Sequence, residues 1–339
     1  MTSHFPSTET LRWALTLAVR APSVHNSQPW LWRVGRRRIH LHANPDLALP
    51  GTDPDARDLI LSCGASLNHA QIALAALGWQ AKIHRFPDPA TPGHLAEIEL
   101  RRYPPAHTDT VLAAAISRRR TDRRNYSSRQ VSAAAIAMMG ARAARAGVML
   151  RRFDALTTLR RRVMDAEARH HSDPEYVAEL AVWSGRYDST AGIPARSTPR
   201  PDPGAVIPAR AFAGAALEQP ADSEPSQDNA AVIALGTVAD DRLSQLRAGE
   251  ATSLVLLTAT AAGLASCPIT GPLEFPDIRA AVGRDVFGSG GHTQMLLRIG
   301  WAPESAEPLP VTPRRPLDQV VAVDGDRGVD EHPGVRRRR

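Results

Sequence analysis

The chain is 339 residues long, 43% hydrophobic and 22% charged, an ordinary globular composition with room for two domains. Its net charge of +6 suits an anionic ligand but is too modest to argue for nucleic acid. Two cysteines, Cys63 and Cys267, make no disulfide framework and fit a reduced, cytoplasmic setting. No signal-peptide pattern opens the chain, and the longest apolar stretch, Leu254 to Ala265, is too short to span a bilayer. The histidines show no zinc spacing, so no metal site is expected.

In chain order, the first element is an amphipathic helix over Thr8 to Arg20, which Pro22 stops because the residue before a proline disfavours the α region. The loop Ala21-Pro22-Ser23-Val24-His25-Asn26-Ser27-Gln28-Pro29-Trp30 follows. Ser23, Asn26, Ser27 and Gln28 put four polar side chains on one short connection. That suits the edge of a planar, hydrogen-bonding ring, and equally a helix stop followed by a buried tryptophan. An apolar-alternating stretch, Leu31 to Val34, comes next. Ile60, Cys63, Leu67, Ala70, Leu74 and Leu77 recur at steps of three and four, predicting a helix over Asp58 to Leu77 ended by Gly78. Ala81 to Phe86 and Leu95 to Leu100 read as strands.

The run Arg118-Arg119-Arg120-Thr121-Asp122-Arg123-Arg124-Asn125-Tyr126 follows a short helical stretch and precedes a helix over Ser132 to Arg145. Five crowded arginines need anions or solvent. Guanidinium forks bind phosphate bidentately, and a threonine hydroxyl among them adds a further hydrogen bond. A solvated basic turn would use the same residues, and so would a nucleic-acid patch, although no aromatic or glycine interleaving accompanies it. Ser184 to Asn229 is rich in Pro, Ala, Ser, Gly and Asp with no apolar period, which fits a lid or a disordered linker. A second helix, Gly249 to Leu264, and a strand, Gln294 to Ile299, follow. Ala75-Ala76-Leu77-Gly78-Trp79 resembles Thr260-Ala261-Ala262-Gly263-Leu264. This suggests an internal duplication: a first half over 1–113, a second over 114–322 carrying the insertion 184–229, and a basic tail over 323–339.

Two motifs, A-P-S-x-x-N-x-Q-P-W at Ala21 to Trp30 and R-R-[ST]-x-R at Arg119 to Arg123, resemble the paired signatures of FMN-dependent nitroreductases. Pro268-Ile269-Thr270-Gly271 looks like that family's Pro-Ile-Glu-Gly turn, and Pro313-Arg314-Arg315-Pro316-Leu317 like its closing basic motif. The loop sequence and the swapped motif order are most similar to the mycobacterial dormancy-associated, Acg-like nitroreductases, over about residues 8 to 322. The resemblance implies an α+β fold, with a nitroreductase-like sheet and flanking helices duplicated into a single-chain pseudo-dimer that carries an inserted lid. The arginine motif occurs only in the second half, and the complete loop only in the first. The chain therefore resembles a fused dimer with one complete site, one FMN and no need of a partner copy, hence a monomer.

By that resemblance Arg119 grips the FMN phosphate beside Thr121, and Arg123 approaches N1 and C2=O of the flavin. Pro22, Ser23, Val24, Asn26 and Gln28 pack and hydrogen-bond against the ring. The turn at Thr270 and Gly271 offers a backbone N–H to flavin N5, and Arg315 with Arg314 closes the phosphate site. Thr270 stands where the family has glutamate. The implied function is an oxidoreductase passing electrons from NAD(P)H through FMN to a nitro compound or quinone, with no acid–base residue required because the cofactor carries the chemistry. The alternative is a flavin-sequestering or redox-buffer protein whose lid covers FMN and prevents turnover. A small-molecule electron acceptor is expected, and neither a specific nucleic acid nor a membrane.

Overall fold

The computed structural model describes residues 5–187, 189–202 and 204–323; the basic run Arg336 to Arg339 lies outside them. Helix α1, Thr8–Ala18, starts where the Ser7 side chain accepts a hydrogen bond from Thr10 N, and it buries Leu11, Ala14, Leu15 and Ala18 on one face. It ends four residues before Pro22. Strands β1, Trp30–Val34, and β2, Arg38–Ala43, form an antiparallel pair. Helix α2, Arg57–Ala76, leads through Gly78 (φ +85°) into β3, Trp79–Arg85, and β4, His94–Arg102. These strands make a sheet of order β1-β2-β4-β3.

The second half repeats the plan. Helices α3, His107–Arg118, and α4, Ala133–Arg145, precede β5, Met149–Arg152. Helices α5, Leu156–Ser172, and α6, Pro174–Trp183, then lead into the insertion, where β6, Ser184–Arg186, pairs in parallel with β7, Ile193–Pro194. Strand β8, Ala231–Thr237, helix α7, Arg242–Ala261, β9, Ala265–Ile269, helix α8, Pro276–Phe287, and β10, His292–Gly300, follow. The second sheet runs β5-β8-β10-β9, antiparallel throughout. Its order matches the first, with β8, β10 and β9 in the places of β2, β4 and β3. Past a short helix, α9 (Leu317–Val320), the chain returns to the first half. There β11, Val321–Val323, adds to β1 in parallel, so the end of the second half completes the first sheet.

Helices α2 and α7 cross where each carries a glycine. A Cβ on Gly64 would lie 2.2 Å from Leu246 O, and one on Gly249 would lie 2.1 Å from Leu61 O. No real side chain fits at such distances, so both positions need glycine. Each glycine is the eighth residue of a 20-residue helix, and the same spacing that separates Gly64 from Gly249 separates Gly78 from Gly263, both at positive φ. Leu246 packs in the core of the first half and Leu61 in that of the second. Helix α2 is the one described helix long and apolar enough to cross a membrane, and most of it is buried inside the protein. The longest apolar stretch of the sequence, Leu254 to Ala265, lies elsewhere, because Asn68, His69 and Gln71 interrupt α2.

The insertion lies folded on both halves. Gly192 N bonds to Asn26 O, Ala216 N to Ala195 O and Leu217 N to Thr198 O, and Ile193, Ala195 and Ile207 are buried.

Gly249→Ala should destabilise the protein by about 1–3 kcal/mol or more, since the added methyl overpacks a backbone contact. Gly140→Ala is the contrast. Its nearest neighbour would be 3.9 Å away, in the middle of α4, so the better helix former should add roughly 0.5–1 kcal/mol. Urea unfolding of the two variants checks both signs.

Candidate functional site

A cleft opens where the halves meet. One wall is the loop after α1, at Pro22, Ser23 and Val24, and the opposite wall is Thr121, Arg123 and the turn Thr270–Gly271. Asp58 and Ser62 from α2 form part of its floor, and Ile207, Arg210 and Phe212 of the insertion lie across it.

The loop is held in an unusual shape. His25 (φ +47°), Asn26 (φ +54°) and Gln28 (φ +57°) are all left-handed without being glycine, a conformation that persists only where its surroundings over-determine it. Ser62 Oγ accepts from Val24 N at 3.2 Å and Ser23 Oγ from Gln28 N at 3.0 Å. Asn26 Nδ2 donates to Gly192 O (3.0 Å) and Pro313 O (3.1 Å). Gln28 Nε2 donates to Thr190 O (2.8 Å) and to Asn26 O (3.2 Å), while its Oε1 accepts from Arg315 N (2.9 Å). Asn26 and Gln28 thus face away from the cleft and tie the insertion and the C-terminal segment to the loop. Where ring contacts were expected of these side chains, the structure gives their amide nitrogens backbone partners, while Asn26 Oδ1 is buried without one.

Behind Thr121 lies a group of like charges. Arg119 is 6% exposed; its guanidinium has one side-chain contact, Thr121 Oγ1 at 3.5 Å, and its Nε is buried without a partner. Burial, then the charges of Arg120, Arg20 and Arg123, lower its pKa to about 10. Burial, then Arg119, Arg20 and Arg120, lower that of Arg314 to about 9. Among the described residues no carboxylate pairs with Arg20, Arg119, Arg120 or Arg314. Arg20 Nε and Arg120 Nε are also buried and unpartnered. Sequestering unpaired cations is costly.

Arg314 has a second task. Its five N–H groups go to the backbone carbonyls of Val19, Arg20, Ala21, Thr312 and Pro313, a cation at the C-terminal end of α1. It therefore adds charge to the cluster but has no donor left over. Arg315 stands apart: only burial lowers its pKa, and its backbone holds Gln28. Arg315 Nε, like those of Arg20 and Arg120, is buried without a partner.

The turn at Thr270–Gly271 is occupied from above. Arg210 NH2 lies 3.3 Å from Thr270 Oγ1 and pairs with the Glu274 carboxylate, which also meets His170 Nε2 at 3.1 Å. Burial pushes the Glu274 pKa up, but Arg210 and His170 outweigh it and hold it at about 2. Arg123 donates to Ser197 O at 3.2 Å and sits 5.0 Å from the Phe212 ring. Arg20, His25, Arg210 and Glu274 were not singled out from sequence. His25 is inside the loop motif and Arg20 adjoins it, but Arg210 comes from a segment with no period to read.

Of the twelve residues expected at the site, seven line the cleft: Pro22, Ser23, Val24, Thr121, Arg123, Thr270 and Gly271. Arg119 backs Thr121, and Asn26, Gln28, Arg314 and Arg315 brace the surrounding segments.

Comparison with known proteins places the chain in a family. No protein-family model matches the chain. A Mycobacterium tuberculosis protein whose name proposes it as an NAD(P)H nitroreductase, Rv3131, is 59% identical over 321 residues, 95% of this chain and 93% of its own length. Another nitroreductase-named protein of that organism, Acg, is 37% identical over 94% of this chain and 96% of its own. The chain belongs to the NAD(P)H nitroreductase family, and it is similar to the Acg-type members along nearly its whole length. Among solved structures, the FMN-dependent nitroreductase NfnB of Mycobacterium smegmatis, in complex with NADPH, aligns with 62% of this chain and 97% of its own, at 15% identity and a TM-score of 0.38.

The arginine cluster has a consequence for acid stability. His69 is fully buried, with Nδ1 3.3 Å from Leu17 O and Nε2 unpartnered. Burial, then Arg119, hold its pKa at about 3, below an unfolded value of about 6.5. The unfolded state therefore binds the extra proton first. The stability His69 contributes is complete above pH 6.5 and is lost as pH falls toward 3, by about 1.4 kcal/mol per unit. Wild type should lose stability faster than His69→Gln between pH 6.5 and 4.5 by this slope, measured by urea unfolding. Parallel curves would show that His69 is not the titrating group.

Proposed function

We propose that the cleft holds FMN between the two halves of one chain, and that the protein passes electrons from NAD(P)H to a small-molecule acceptor such as a nitro compound or a quinone. The observation that carries this reading is the arginine group around buried Arg119, in which the Nε atoms of Arg119, Arg20 and Arg120 are buried without partners. It calls for a compact anion of more than one negative charge, joined to something that fills the apolar-walled cleft in front of it. A phosphate on a planar heterocycle meets both demands.

In this reading Arg119, with Thr121, Arg20 and Arg120, takes the phosphate. Arg123 lies along the ring and favours negative charge on it, while Pro22, Ser23 and Val24 form the wall against its other edge. Bound there, FMN would supply hydride acceptance and two-electron delivery; the chain supplies orientation, charge and exclusion of water. The matched strand orders and the reciprocal glycine contact support a pseudo-dimer that needs no second copy, so a monomer in solution is expected.

A second reading has its own support. Arg210 and Phe212 lie across the cleft, and the Arg210–Glu274 pair closes over the Thr270–Gly271 turn, where a nicotinamide would have to approach. A lid that stays shut would make the protein a flavin store.

Purified protein under anaerobic conditions separates the two. Bleaching of the flavin absorbance by NADPH is expected for the enzyme, and bleaching by dithionite alone for the store. If the lid limits access, Arg210→Ala should bleach faster with NADPH than wild type. Arg119→Ala should bind FMN roughly ten- to a hundred-fold more weakly, the worth of one charge-assisted hydrogen bond at about 1.5–3 kcal/mol. The exposed Arg12, changed to Ala, serves as control in a fluorescence titration. Equal affinity in Arg119→Ala and wild type would remove Arg119 from the phosphate.

A further inference from the structure

His25 lines the cleft, and the hydrogen bonds behind it fix which of its ring nitrogens carries the hydrogen. Glu179 of α6 accepts three bonds: from Gly51 N at 3.0 Å, Thr52 N at 2.9 Å and Thr52 Oγ1 at 2.5 Å. The Thr52 hydroxyl hydrogen is therefore committed to Glu179, and Oγ1 turns only lone pairs toward His25 Nε2, 3.1 Å away. A bond between those two atoms needs the hydrogen on Nε2. Arg210 NH1 also lies near Nε2, at 3.4 Å. It can donate only to a bare Nε2, whose lone pair would then face the lone pairs of Thr52 at the shorter distance. The Thr52 contact decides, and Arg210 keeps Glu274 and Thr270 Oγ1 as partners of its NH2.

The ring is also neutral. His25 faces Arg210, with Glu274, Arg123 and His170 beyond it, and the Phe212 edge is 6.2 Å away. Burial first, then Arg210, lower its pKa to about 3, so at pH 7 only about one ring in ten thousand is an imidazolium. A neutral ring with its hydrogen on Nε2 has a bare Nδ1, which can only accept. Nδ1 has no partner among the described residues and is left to the cleft. Donors line the same space, in Arg123, Arg210 and Thr121.

We propose that His25 Nδ1, kept bare by Thr52 and Glu179, accepts a hydrogen bond from an amide N–H of the molecule bound in the cleft. The inference rests on the redox reading above, in which two molecules bring such a group: the flavin in its imide N3–H and the nicotinamide in its carboxamide. A quinone or a nitro group has only acceptors and gains nothing from a bare nitrogen, so His25 serves the cofactors and not the electron acceptor. Thr52 is a positioning residue that acts through His25. Without its hydroxyl the one partner left to Nε2 is Arg210 NH1, a donor. The hydrogen then moves to Nδ1, and the ring presents an N–H where the ligand has its own.

The tautomer and the contact are measured separately. In ligand-free protein labelled with 15N-histidine, His25 should show a protonated Nε2 and a bare Nδ1 at pH 7. The two should exchange in Thr52→Val, which keeps the shape and removes the hydroxyl, and Thr52→Ser should restore them. Fluorescence titration then compares two ligand pairs: FMN with 3-methyl-FMN on the ligand-free protein, and NADP+ with its 3-acetylpyridine analogue on the FMN-loaded protein. The second member of each pair lacks the amide hydrogen. Wild type should prefer the amide-bearing member of at least one pair by about ten-fold, the scale of a buried acceptor left unpaired. A response in the flavin pair makes the imide the partner of His25, and a response in the nicotinamide pair makes it the carboxamide. The preference should vanish in Thr52→Val and return in Thr52→Ser. It should vanish too in His25→Phe, which keeps a ring and loses the acceptor. A wild-type His25 protonated on Nδ1, equal affinities within both pairs, or a preference that survives Thr52→Val overturns the proposal. Failure of the redox reading shows differently, as wild-type protein that binds neither FMN nor NADP+ whatever the tautomer.

Discussion

The backbone contact between α2 and α7 sets the position of everything else. With glycine at 64 and 249 the two helices approach until a Cβ on either would strike a carbonyl of the other, and each sends a leucine into the opposite core. The loop after α1 packs on α2 through Ser62, and α7 places Gly249 and Thr252 in the cleft wall. A wider crossing would separate the loop from the arginine motif, which come from different halves. The cleft is a by-product of a helix contact a side chain would forbid.

A second fastening joins the end of the chain to its beginning. The second half ends by adding β11 to the first sheet, and the segment before it passes Gln28, Asn26 and the residues just after α1, where Arg314 donates to Val19 O, Arg20 O and Ala21 O. The segment therefore crosses from one half to the other beside the anion group. The halves are fastened at the helix crossing and again at this strap, and the cleft lies between the two fastenings.

Much of this was legible from period and motif. Helix α2 and the later part of α7 follow apolar steps of three and four, and β3, β4 and β10 fall within two residues or so of their expected bounds. The first turns of α7 were not legible, because Arg242, Gln245 and Arg247 carry no apolar period; the Asp241 cap on Ser244 N begins the helix there. At the site, motif residues close in sequence, Pro22 to Val24, Thr121 and Arg123, come together around one cleft. Nothing in residue type signals the left-handed backbones at His25, Asn26 and Gln28, or that the Asn26 and Gln28 amides bond to the insertion and the C-terminal segment. Arg210 and Glu274 could not be paired in advance, because a segment without period gives no register from which to bring them together.

The strained loop and the unpaired arginines are two costs borne at one place. Left-handed His25, Asn26 and Gln28 are held by bonds to the insertion and the strap, and the arginines by burial beneath them. Neither arrangement stabilises the folded chain by itself. Both make sense if the loop must present its backbone and His25 to the cleft while its amides hold the cover in place. The same three residues then border the cleft, through His25, and fasten the insertion, through Asn26 and Gln28. Loosening the insertion would release the loop as well, so access to the cleft and the shape of its wall are coupled through Asn26 and Gln28.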